Sequence, residues 1–154
     1  MISNSSSRII SVYSDGGCAG NPGPASWGIV IVSNGEVLQE AKGFLGQATN
    51  QVAELSAAIE GLSRTAPGTT LELVSDSQYV LKGLTEWRKG WVRRGWLNSK
   101  GEPVANQTLW QRLFALADAR KVRVRWVKGH NGDTFNERCD KLANQAIAEA
   151  RAAA

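Results

Sequence analysis

Apolar positions along this chain fall into two periods, two and three-to-four, and the switches between them outline its elements. Residues 8–15, RIISVYSD, and residues 71–76, LELVSD, are strand-like runs that end on Asp15 and Asp76. After the first run, SDGGCAGNPGPAS reads as a Gly/Pro-rich loop. WGIVIVS at 27–33 leads into Asn34-Gly35, a two-residue hairpin signal, and a returning strand near 36–44. Val52, Leu55, Ile59 and Leu62 then recur at helical spacing up to Pro67-Gly68. Tyr79, Val80 and Leu84 begin another helix, and residues 87–101 interrupt the pattern with glycines and tryptophans.

A helix from Thr108 to about Ala119 is expected to turn Leu109, Leu113 and Leu116 inward. KVRVRWV at 121–127 alternates strictly, with Val122, Val124 and Trp126 on one side and Lys121, Arg123 and Arg125 on the other. The loop GHNGD precedes a closing helix with Cys139, Leu142, Ala143, Ala146, Ile147 and Ala150 as its buried stripe. Thr134 and Glu137 have the spacing of a capping box for that helix. The order β-β-β-α-β-α-α-β-α implies an α/β (α+β mixed) fold, a mixed sheet with helices on its faces. One domain over 8–150 is expected, with a disordered segment at 1–7 and a short tail at 151–154.

With 154 residues, 42% of them hydrophobic, the chain can bury one real core. The longest apolar run is about six residues, too short to span a bilayer. Cys18 and Cys139 are too few for a disulfide framework or a zinc set, so a cytoplasmic protein is expected. The net charge is +4, but its distribution says more. Residues 82–100 hold Lys82, Arg88, Lys89, Arg93, Arg94 and Lys100 against Glu86 alone, and residues 120–128 hold Arg120, Lys121, Arg123, Arg125 and Lys128 with no acid. Two basic stretches on an otherwise acidic body point to a polyanionic partner.

Four acids border apolar stripes: Asp15 and Asp76 at strand ends, Glu54 beside Leu55, and Asp140 beside Cys139. Each has an ordinary alternative; Asp76, for one, is well placed to cap the next helix. Spacing leaves their convergence open. If they converge, four carboxylates suit hard divalent cations such as magnesium or manganese. Two such ions about 4 Å apart activate water and stabilise a leaving oxygen in phosphodiester cleavage.

The stretches SDGGCAGNPGP, TNQVAEL, SDSQYVLKGLTEW, GWVRRGW, ANQTLWQRL and WVKGHNGDTFNERCDKLA together resemble bacterial type 1 ribonuclease H, over about residues 8–150. The resemblance implies a five-stranded mixed sheet, its first three strands antiparallel, with helices on both faces. It also implies an endonuclease that cuts the RNA strand of RNA–DNA hybrids by a two-metal-ion mechanism, leaving 5′-phosphate and 3′-hydroxyl ends. The family's metal-binding carboxylates fall on Asp15, Glu54, Asp76 and Asp140, with Mg2+ as cofactor, Mn2+ as substitute, and two ions once substrate is bound. Its catalytic histidine falls on His130, the only histidine in the chain. Gly129 and Gly132 bracket that residue and imply a mobile loop suited to shuttling protons or assisting product release.

Carried over in the same way, Asn21, Asn50, Gln51 and Gln78 are contacts to the hybrid. Asn21 also precedes a proline in a turn, and Asn50 stands where a helix cap is expected. Arg88, Lys89, Trp91, Arg93 and Arg94 form a basic protrusion for the phosphate backbone, with Trp91 toward the DNA strand and Trp87 and Trp96 packed inward. Val52 and Gly17 depart from the arginine and serine common at those positions. No N-terminal hybrid-binding module is seen, so action without long processive tracking is expected, as is a monomer without an obligate protein partner. Asp-Gly-Gly at 15–17 argues against an aspartic protease and against a haloacid-dehalogenase-type phosphotransferase. The remaining rival is a hybrid-binding module without chemistry.

Overall fold

The computed structural model describes residues 1–4, 8–129 and 132–154. Strands β1 (Ile10–Cys18), β2 (Gly23–Ser33) and β3 (Glu36–Ala48) form an antiparallel meander. Asn34 and Gly35 close the β2–β3 hairpin with φ of 52° and 80°. Positive φ at both positions makes a turn whose twist matches the strands, and asparagine and glycine tolerate it best. Helix α1 (Asn50–Ser63) crosses to β4 (Thr70–Ser75), which lies parallel to β1. After α4 (Gln107–Asp118), β5 (Lys121–Trp126) adds parallel to β4, and α5 (Thr134–Ala153) closes the chain. The sheet order is β3-β2-β1-β4-β5, and the sheet is five-stranded and mixed with its first three strands antiparallel, as expected.

Strand alternation divides the core in two. Ile29 and Ile31 face Leu55, Ile59 and Leu62 of α1 together with Trp110 of α4. Val30 and Val32 face Cys139 and Leu142 of α5. Each fully buried Leu or Ile stabilises the fold by roughly 1.5–3 kcal/mol. Thr49 caps α1, its hydroxyl accepting from the Val52 amide at 3.2 Å. That leaves the Asn50 side chain out of the cap.

Between β4 and α4 a continuous helical path runs through α2 (Gln78–Lys82), a π-helical turn (Gly83–Trp87) and α3 (Arg88–Arg93). The wide turn resets the phase of the helix, and this corrects the expected orientation of its tryptophans. Trp91 is the buried one: its ring meets Trp110 edge-on at 5.1 Å and packs on Trp96 and Phe114. Trp87 is 38% exposed and covers the outer side of Trp91 at 5.9 Å. Gly83 makes the deep seat of Trp110 possible, since a Cβ there would lie 2.0 Å from the indole. The Tyr79 hydroxyl accepts from Trp110 Nε1 at 3.0 Å. On α4 the fully buried residues are Trp110, Leu113 and Phe114, while Leu109 and Leu116 are only half-buried.

The ends differ from expectation as well. Ile2 bridges to Thr65, and Asn4 donates through Nδ2 to the Thr70 carbonyl at 2.8 Å, so these two residues of the segment expected to be disordered are tied down. Residues 5–7 lie outside the described residues. Helix α5 continues to Ala153, through most of the expected tail.

Candidate active site

Asp15 is not a strand end. β1 continues through Gly16, Gly17 and Cys18, paired to β2 from Asp15↔Gly28 to Cys18↔Ala25. What ends at this point is the parallel pairing of β1 with β4, whose last partners are Ser14 and Ser75. Asp15 and Asp76 are the next residues on each chain, placed where the two strands part. The glycines that mimic a loop serve close packing instead. A Cβ on Gly16 would lie 2.5 Å from backbone atoms of Ala53 and Glu54, and one on Gly28 2.3 Å from the Cys139 carbonyl. The first clearance lets α1 approach β1, and Glu54 Oε1 accepts from the Gly16 amide at 2.8 Å.

Asp15, Glu54 and Asp76 each offer a carboxylate oxygen within 4.8 Å of the others, an arrangement able to hold a metal ion. Asp15 is buried; Glu54 and Asp76 are half-buried. Asp140 on α5 lies outside that triangle, yet its charge contributes to raising the Asp15 pKa, after burial, Glu54 and Asp76. Glu54 is also raised, by burial and then by Asp76, against the opposing hydrogen bond from Gly16. Repelling carboxylates held in low dielectric either take up protons or take up a cation. The donor set is oxygen only, which selects a hard divalent ion.

Several neighbours of this centre are not among the expected site residues. Ser77, not Asp76, caps α2, accepting from the Val80 amide at 3.2 Å, and it also hydrogen-bonds Glu54. A serine one residue beyond a strand was the available signal. Trp126 is 49% exposed rather than turned inward with Val122 and Val124, and its Nε1 donates to the Asp76 carbonyl at 3.2 Å. A Cβ on Gly129 would lie 2.8 Å from Asp76 Oδ2, so that glycine gives room to a carboxylate. His130 lies outside the described residues. Beyond it, Asp133 is the N-cap of α5, accepting from the Asn136 amide at 2.9 Å. The expected Thr134–Glu137 box is thus displaced by one residue, and Glu137 Oε1 accepts from Gly132 N at 3.2 Å. Both cysteines are free thiols, and burial pushes that of Cys139 far up.

The expected substrate contacts lie along the helix starts that bear the carboxylates. Asn50, Gln51 and Gln78 are exposed, at the first turns of α1 and α2. Asn21 is exposed in the β1–β2 connection, its Oδ1 accepting from the Asn50 amide at 3.0 Å. In the basic segment, Arg88 is engaged internally: it forms a two-pronged pair with Asp118 at 2.7 and 2.6 Å and lies 4.6 Å over the Phe114 ring. Arg94 donates to the Leu97 carbonyl at 3.0 Å. Lys89 and Arg93 are exposed and have no partner among the described residues. With Trp87 and Arg94 they line an open hollow of about 480 Å³, floored by Trp91.

Carboxylates gathered where a parallel strand pair opens, on a domain that also carries a cationic hollow, fit a hydrolase that works on a polyanion. The family model for RNase H matches residues 7–148, and the chain belongs to the ribonuclease H family. It is a nuclease. Ribonuclease H of Geotalea uraniireducens (strain Rf4) is 48% identical over 138 residues, covering 90% of this chain and 93% of the relative. Ribonuclease H of Xanthomonas campestris pv. campestris (strain 8004) is 50% identical over 143 residues, covering 92% and 95%. LC11-RNase H1, solved in complex with RNA/DNA hybrid, superposes with a TM-score of 0.70 at 26% identity, covering 92% of this chain and 98% of that one.

Proposed function

We propose that this protein is an endonuclease that hydrolyses the RNA strand of RNA–DNA hybrids, leaving 5′-phosphate and 3′-hydroxyl ends. The observation that carries the reading is the carboxylate triangle of Asp15, Glu54 and Asp76 within 4.8 Å. With Asp140 these residues would hold Mg2+, or Mn2+ in its place, as two ions when substrate is bound. Bound divalent ions would polarise the phosphodiester and lower the pKa of an attacking water. The Gly16 amide and the Ser77 hydroxyl hold Glu54 toward Asp15, so the ligand set is oriented before any ion enters. His130 has the proton-handling or product-release role that the resemblance assigns to it. Asn50, Gln51 and Gln78 at the first turns of α1 and α2, with Asn21 from the β1–β2 connection, read the sugars of the hybrid, and Lys89, Arg93, Arg94 and Trp87 receive the other strand's backbone. Trp91, buried beneath them, supports that hollow rather than touching nucleic acid.

A binding module without chemistry would gain nothing from three carboxylates crowded against one another at a cost in stability. The reading includes a monomer in the cytoplasm; no helix among the described residues is long and apolar enough to cross a membrane. One gel tests the function, with hybrid, duplex RNA, duplex DNA and single-stranded RNA side by side. Cutting is expected of the hybrid's RNA strand alone, and only with added Mg2+ or Mn2+. Asp76→Asn is expected to abolish cutting while hybrid binding persists. Cutting in excess chelator would refute the metal requirement, and equal cutting of single-stranded RNA the selectivity.

A further inference from the structure

The cations of the second basic stretch, residues 120–128, take no part in the site described above. Arg120 leaves the account first: it is buried, donating to Thr65 Oγ1 at 2.8 Å and to the Leu116 carbonyl at 2.9 Å. The others are arranged by β5. Val122 and Val124 pack against the core, so Lys121, Arg123 and Arg125 stand on the opposite face, all exposed. Helix α5 covers that side of the sheet over β1, β2 and β3 and leaves β5, the edge strand, open. Glu72 on the neighbouring strand pairs with Arg125, which also donates to the Tyr13 hydroxyl at 3.1 Å. Lys121 and Arg123 have no partner among the described residues.

This row is joined to the catalytic end. β5 finishes at Trp126, whose indole holds the Asp76 carbonyl. From there the row runs away from the carboxylates for roughly 16 Å, at a rise of about 3.3 Å per residue. Midway along it, Arg123 lines a hollow of about 410 Å³ together with Arg8, Asn4, Thr70 and Glu72. Cations on alternate residues are about 6.6 Å apart, an interval an extended nucleic-acid backbone can meet with one phosphate each. The row is a single residue wide. That suits one strand and gives a duplex no second line of contacts.

We propose that the outward face of β5 is a second nucleic-acid contact, which takes a single strand continuing beyond the hybrid at the carboxylate end. Lys121 and Arg123 are its free cations, and Arg125, fixed by Glu72 and Tyr13, orders the row between them and the site. The inference rests on the proposed hybrid substrate and extends it: hybrids with a single-stranded extension bind better than blunt ones. RNA and DNA extensions share the phosphate chemistry that this face recognises.

The test measures fluorescence anisotropy of labelled hybrids with the full chain in chelator, which prevents cutting. The probes are one blunt hybrid and the same duplex with an oligo-U or oligo-dT extension of about ten nucleotides at either end. An extension on one end is expected to tighten binding about five- to tenfold, less so at high salt. Lys121→Glu with Arg123→Glu is expected to erase that gain while leaving blunt-hybrid affinity, melting temperature and metal-dependent cutting of blunt hybrid unchanged. Lys121→Gln with Arg123→Gln should erase part of it, which guards against a folding defect in the reversal. No gain from any extension overturns the proposal, as does an equal loss for blunt hybrid in the reversal variant. A polyglutamate peptide that binds this face where the extensions do not overturns it in favour of an acidic protein partner. Cutting of blunt hybrid by the wild type is the separate readout: if it fails, the proposed function fails, and if it holds while the extension effect is absent, only the β5 track is lost.

Discussion

The carboxylate end of the sheet and the tryptophan-rich basic segment sit on the same domain but are held by opposite means. At the sheet end, backbone is brought against backbone: Gly16 admits α1, Gly28 admits α5, and Gly129 leaves room for Asp76. The side chains delivered there repel one another. In the basic segment, Trp91, Trp96, Trp110 and Phe114 interlock, and the cations are carried on their outer surface. Ring packing holds that segment together, and Arg88 adds to it through Asp118 and Phe114. One region gives up stability to concentrate charge, whereas the other draws stability from the scaffold that presents its charge.

The strongest way to break this contrast is at its aromatic centre. Trp91→Ala is expected to cost about 3–5 kcal/mol, as buried tryptophans do. Trp87→Ala should cost a small part of that and mainly weaken hybrid binding. Urea unfolding and anisotropy separate the two, and a larger stability loss at Trp87 would reverse their assignments. Gly16→Ala comes next, at about 1–3 kcal/mol, because the new methyl meets backbone that must shift. Its cutting rate should fall further than the lost stability explains, since Glu54 moves with α1.

Asp15→Asn tests the sign of the electrostatics. Asp15 has a raised pKa in the fold, so the stability tied to its proton is fully present below the unfolded-state pKa and is lost as pH rises through the folded one. At neutral pH without divalent ions the wild type therefore bears the penalty. Asp15→Asn should melt higher than wild type in chelator at neutral pH, with the gap closing toward acid. Added Mn2+ should raise the wild-type melting temperature more than the variant's. The smallest effect is at the surface: Lys89→Met with Arg93→Met should reduce the slope of log affinity against log salt by roughly 0.9 for each lost phosphate contact. Arg88→Met should leave that slope alone and lower the melting temperature slightly, because its guanidinium is already spoken for by Asp118.

The contrast also explains what could be read from the sequence. Strand and helix periods and the Asn34-Gly35 turn follow from local pattern, and the fold agrees with them; the order of strands in the sheet does not, because it is set by contacts between distant segments. Asp15, Glu54 and Asp76 were legible as a group because their surrounding motifs are distinctive, although single residues gave no sign of convergence. In the sequence Gly16 and Gly17 resemble loop, because glycine marks both turns and close approach and only the facing helix distinguishes the two. The inward side of Trp91 is not legible in sequence, because a π turn at Gly83–Trp87, which no local signal announces, changes the helical phase that follows. Arg88 looked free because its partner Asp118 is thirty positions away. His130 is legible in sequence as the sole histidine and lies outside the described residues.

Gly17 and Ser26 face each other across β1 and β2, and the Ser26 hydroxyl donates to the Ala143 carbonyl on α5 at 2.6 Å. A Cβ on Gly17 would come within 2.9 Å of that hydroxyl oxygen and 3.2 Å of the Ala143 methyl. The family resemblance implies serine at position 17; this chain carries glycine there, and the hydroxyl nearby is that of Ser26 on the facing strand. The two positions therefore form an epistatic pair. Installing serine at 17 alone crowds a filled site, and removing it from 26 alone takes the second donor from an α5 carbonyl that keeps its helical bond. A serine grafted at 17 must therefore bring a smaller residue at 26 with it.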